Sequence, residues 1–158
     1  MSSIIHMLMV WALISILGAL CFAKLDAYLK LTLSNPISLT YKNIRLIGFL
    51  LVNFIGFYCL LFIHHQPFWF SFGVGLFNMT VCYILFELLL NKFSGEVWYY
   101  ISDDGVDHST SWDDLFFIHL SDFIWNVEGQ KFSGKFKFLV KIILLIISIL
   151  LIVFNWSL

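Results

Sequence analysis

The chain has 158 residues, 61% of them hydrophobic and 12% charged, with mean hydropathy +0.93 and formal net charge -1. Soluble domains average about half apolar and about 25% charged, so this composition excludes a water-soluble globule, whose surface 18 Phe and 6 Trp would leave oily. Nine basic residues against ten acidic ones also exclude a nucleic-acid groove.

A bilayer core about 30 Å thick needs about 20 apolar residues per helix, and four stretches have that length: residues 4–23, 44–63, 68–90 and 138–156. The first is read as a helix rather than a cleaved signal peptide, because no Lys or Arg precedes it, it is long for an h-region and three more stretches follow. Pro36 and Pro67 fall between spans, where a missing N–H suits a turn. Only His64, His65, Gln66 and Pro67 separate spans two and three, which predicts an antiparallel helical hairpin. All nine basic residues lie in or beside the 24–43 and 91–137 connections. The positive-inside bias therefore predicts both termini outside and both connections cytoplasmic, in a bacterial inner membrane.

The 91–137 connection is acidic and aromatic-rich, holding eight of the ten carboxylates together with Trp98, Tyr99, Tyr100, Trp112, Phe116, Phe117, Phe123 and Trp125. That is too many aromatics for a solvated tail. Residues 97–101 read as a strand, Asp103, Asp104 and Gly105 as a turn, and 106–109 as the return strand of a hairpin. Ser111 reads as an N-cap, with Asp113 and Asp114 in the first turn and Gly129 at the end of an amphipathic helix on the membrane surface. A strand reading of 116–120 and 123–127 is the alternative. The expected fold class is thus an all-α membrane protein of four transmembrane helices, both termini outside, with a small cytoplasmic insertion of hairpin plus amphipathic helix between helices three and four.

Lipid tails are as apolar as Leu, so helices associate through small residues and hydrogen bonds. Ala12, Ser15, Ala19 and Ala23 form one such stripe, and Gly48, Gly56, Ser71 and Gly75 offer flat patches on spans two and three. Span four, nearly all large aliphatics, reads as peripheral. Counting from the span ends puts Ser15, Asn53, Asn78 and Ser148 near one midplane level, a helix-packing polar layer. An amide bare in hydrocarbon costs several kcal/mol, so Asn53 and Asn78 are expected to face each other or Ser15. Glu87 and Lys141 sit at matching depth near the cytoplasmic boundary and form a candidate ion pair, with snorkelling to the headgroups as the alternative.

Cys21, Cys59 and Cys82 lie inside spans and imply no disulfide. His6, His64 and His65, with Met7 and Met9 nearby, share a depth at the opposite end, where a copper or haem site is weighed against ordinary hydrogen bonding to water and headgroups. Asp103, Asp104, Asp107, His108, Asp113 and Asp114 match no calcium loop, HExxH or phosphate-cradling pattern. No catalytic residue, metal or cofactor is therefore assigned, and no nucleic acid is expected as a partner.

The expected function is that of a small polytopic membrane protein acting without catalysis. It would work through contacts with another membrane protein or a membrane-acting toxin, as an accessory subunit or an immunity or entry-exclusion protein does, and a homo-oligomer is compatible with this. The alternatives are an oligomeric ion or solute channel using Glu87, Asn53 and Asn78, and a membrane enzyme using the 103–114 carboxylates.

Overall fold

The computed structural model describes residues 2–32, 39–97, 120, 123–124 and 130–156. Four long helices dominate: α1 (Ser2–Thr32), α2 (Leu39–Tyr58, continued by a π-helical turn, Cys59–Ile63), α3 (Phe68–Phe93) and α4 (Gln130–Asn155). Three carry stretches long and apolar enough to cross a membrane: Ser3–Leu29, Phe68–Phe93 and Gly134–Asn155. The apolar helix Ile47–Ile63 is shorter.

The helices outrun the apolar stretches that announce them. α1 continues nine residues past Ala23, through Lys24, Asp26 and Lys30, to Thr32, and α2 begins at Leu39 rather than 44. The 24–43 connection thus shrinks to 33–38, around Ser34, Asn35 and Pro36. Hydropathy marks where lipid can be met, whereas a helix runs on until a residue breaks its hydrogen-bond ladder. The insertion shortens for the same reason, since α3 reaches Phe93 and α4 starts at Gln130. Among the described residues there is no strand, and Leu120, Phe123 and Ile124 are helical. The expected 97–109 hairpin, apart from Val97, the 103–114 carboxylates and most of the surface helix lie outside the described residues.

Both ends of α3 are set by local chemistry. Pro67 precedes it at φ -54, and the Ser71 N–H already bonds the Pro67 carbonyl at 2.9 Å. At the other end Gly95 takes φ +74. This lets the Glu96 N–H reach the Asn91 carbonyl at 2.8 Å and the Gly95 N–H reach that of Lys92 at 3.3 Å, the paired closure of a Schellman motif. The hairpin before α3 closes differently. The His64 N–H reaches five residues back to Cys59 at 3.0 Å, the Gln66 N–H bonds Leu60 at 3.0 Å, and His65 turns the chain with φ 51. Left-handed backbone is costly for most side chains, and His is among the residues that adopt it more readily.

Side-chain pairs give the helix directions. Ser15 meets Asn78, and Ala19 and Ala23 cluster with Cys82 and Phe86, so α1 and α3 run parallel. Asn53 meets Asn78 while Phe57 meets Phe68, so α2 runs against α3. Phe70 meets Trp156 and Glu87 meets Lys141, so α4 also runs against α3. The arrangement is not a closed four-helix ring. α3 stands in the middle, touching α1 and α2 through one side, and among the described residues it alone makes an extended contact with α4.

Glycines mark two of the closest approaches. A Cβ on Gly56 would lie 2.2 Å from the Trp11 ring, so the indole of α1 lies on bare α2 backbone. A Cβ on Gly73 would lie 2.9 Å from the Leu151 Cβ and 3.2 Å from the Ile152 backbone nitrogen, so α3 and α4 meet there nearly backbone to backbone. Gly48, expected at an interface, meets nothing within 4 Å; it faces outward because the contacts of α2 run through Phe49, Asn53 and Gly56, which lie on a different side of the helix.

Candidate functional site

Two polar clusters lie inside this apolar frame, both built on α3. The first joins three helices. The Asn78 amide donates from Nδ2 to Ser15 Oγ at 2.8 Å and to Asn53 Oδ1 at 3.0 Å. Asn53 Nδ2 in turn donates to the Phe49 carbonyl of its own helix at 2.8 Å, and the Cys82 thiol points to Asn78 Oδ1 at 4.0 Å. Ser15, Asn53 and Asn78 are each buried. Ser148 is also fully buried, but it stands apart. Its hydroxyl donates to the Leu145 carbonyl one turn back at 2.7 Å, a bond within α4 that satisfies a Ser without any partner helix. The central level therefore gathers three of the four residues that share its depth, because α4 lies across α3 from the other two helices.

Both donors of Asn78 are used on neighbouring helices. Such bonds in a membrane contribute about 0.6–2 kcal/mol each, and their directionality fixes the rotation of three helices that are otherwise apolar on nearly every face. Towards the α1–α2 loop the same interface is filled by Phe22, Phe49 and Phe86, with Phe22–Phe49 ring centroids 5.6 Å apart and Phe49–Phe86 6.3 Å apart.

The second cluster joins α3 to α4. The Glu87 carboxylate pairs with Lys141 Nζ through one oxygen and with Lys137 Nζ through the other at 2.5 Å. Lys137 and Lys141 are 5% and 3% exposed, so both ammonium groups are enclosed rather than extended to solvent. The Tyr83 ring, one turn before Glu87, completes the pocket, with Lys141 Nζ 3.9 Å and Lys137 Nζ 5.6 Å from its centroid. An aromatic face attracts cations more strongly where water is excluded. Matching depth is the signal that points to Lys141. Lys137 carries no such signal, since it falls before the apolar stretch that starts at 138, and only a helix begun at Gln130 brings it onto the face of Lys141, four residues on. Asp26, in the polar extension of α1, is a third buried ionisable residue within a helix, at 1% exposure.

Among the described residues no group of three or more His, Cys, Asp or Glu side chains could hold a metal ion. His6 and His65 are exposed and His64 half-buried. The class that fold and site define is thus a helical protein with three helices able to cross a membrane, organised around α3. The chain matches no known protein family, no curated protein and no solved structure.

Proposed function

We propose that the chain crosses a bacterial inner membrane four times, with both ends outside, and acts without catalysis by packing against another membrane protein. This is the role of an accessory subunit or of an immunity or entry-exclusion protein. Orientation rests on the basic residues, which all lie at the Glu87 end of the helices or in the connections there, while the His64 end has none. Protease added to the outer face of spheroplasts is expected to remove epitope tags from both ends of the chain; protected tags would invert the reading.

The observation that carries the functional proposal is the open side of α3. Between the row packed on α1 and α2 (Asn78, Cys82, Phe86) and the row packed on α4 (Gly73, Glu87) runs a third stripe at three- and four-residue spacing: Trp69, Phe72, Leu76 and Met79. Trp69, Phe72 and Met79 are 56%, 42% and 37% exposed. The outward middle portions of α1 and α4 are aliphatic, Val10, Leu13, Ile14 and Leu17 on α1 and Ile143, Ile146, Ile147 and Leu150 on α4, which suits lipid, whereas α2 also turns Phe54, Tyr58 and Phe62 outward. Aromatic residues and Met are instead enriched where proteins meet. The amides of Asn53 and Asn78 and the carboxylate of Glu87 are engaged with one another or with lysines inside the fold, an arrangement that suits helix pairing better than conduction.

The test is affinity capture from native membranes in mild detergent. One stoichiometric membrane protein is expected from the native chain, and it is lost when Trp69, Phe72 and Met79 are changed together to Leu, which preserves an apolar surface. Failure to recover any reproducible companion would count decisively against this function.

A further inference from the structure

At the His64 end of the α1–α2–α3 interface, two enclosed polar atoms have no hydrogen-bond partner among the described residues: the indole Nε1 of Trp11 and the hydroxyl of Ser71. Trp11 is 6% exposed and Ser71 not at all. Their placement brings them to neighbouring levels of one interface. The Trp11 ring lies between Gly56 on α2 and Gly75 on α3, whose Cβ position is 3.9 Å from the ring. Ser71 is one helical turn before Gly75 on the same face of α3. The parallel register that pairs Ser15 with Asn78 sets Trp11, four residues before Ser15, level with Val74, between Ser71 and Asn78.

An enclosed donor left unbonded costs about 1–3 kcal/mol, and an indole N–H can only donate while a hydroxyl can both donate and accept. A group that accepts from one and bonds the other satisfies both, and with the indole seated on Gly56 and packed against Leu60, Phe70 and Val74 the group that fits beside it is small. We infer that Trp11 Nε1 and Ser71 Oγ share one internal water molecule, which accepts from the indole and exchanges a hydrogen bond with the serine. Buried waters of this kind join otherwise unsatisfied polar groups and are costly to remove. The site extends the Ser15, Asn53 and Asn78 network towards the His64 end, whereas the Phe22, Phe49 and Phe86 rings fill the other half of the interface.

The test is nuclear magnetic resonance on the full chain in lipid nanodiscs, with nitrogen-labelled tryptophan. The Trp11 indole signal, assigned by its disappearance in Trp11→Phe, is expected to show a cross-peak to a long-lived water. Ser71→Ala should weaken that cross-peak severalfold, and Ser71→Thr, which keeps the hydroxyl, should retain it. A native indole without water contact would overturn the inference, whether or not any variant folds. So would a cross-peak that Ser71→Ala leaves unchanged.

Discussion

Replacing Glu87 by Ala is expected to destabilise the folded chain by about 3–5 kcal/mol, the usual result of removing one partner from an enclosed charge pair. The effect arises because Lys137 and Lys141, both buried, would lose the one carboxylate that pairs with both of them. Single changes Lys137→Met and Lys141→Met should each cost less than Glu87→Ala, since Glu87 would retain one ammonium partner in either case. The combination Glu87→Gln, Lys137→Met and Lys141→Met should recover much of the loss, because removing the three charges together also removes their desolvation penalty. Denaturation in mixed micelles, monitored by helical circular dichroism, measures all four. Glu87→Ala with native stability would mean that the lysines do not depend on this carboxylate.

Gly56→Ala is the second large effect. The added Cβ would lie 2.2–2.5 Å from three atoms of the Trp11 ring, far inside contact distance, so the indole must leave its seat or α1 and α2 must separate. Overpacking in a filled interior costs about 1–3 kcal/mol. Trp11→Leu alone leaves a gap and is also destabilising, but in its presence Gly56→Ala should become nearly neutral. The same denaturation measurement gives the double-mutant cycle. Strict additivity would show that ring and glycine do not touch.

Much of this organisation is legible in the sequence where a residue is chemically out of place. Asn53 and Asn78 stand out because amides do not belong in hydrocarbon, and counting depth from the span ends suffices to bring them beside Ser15. Glu87 and Lys141 stand out for the same reason. What depth counting does not supply is direction around the helix. α1 and α3 are apolar on nearly all sides, so no periodicity announces which side of α3 receives α4, and Ser148 consequently shares a level with Asn78 without sharing a contact. Lys137 and the true helix ends escape because polar residues continue a helix as well as apolar ones do. Gly73 escapes beside Gly75: the two differ by two residues, hence by most of a half-turn, and sit against different neighbours. The π-helical turn before His64 leaves no mark in the apolar run Cys59–Ile63; it is seen only in the backbone, where the His64 N–H reaches the Cys59 carbonyl and the Gln66 N–H that of Leu60.

The position of α4 bears on the order of events during synthesis. Among the described residues its extended contact is with α3 alone, while the Asn78 bonds and the Trp11 wedge involve α1, α2 and α3. A nascent chain that has delivered its first 97 residues already contains every group needed to lock those three helices together. Glu87 gains its two lysines only when the last helix arrives, so α4 docks onto a counter-charge already in place as well as onto the apolar face around Gly73 and Phe70.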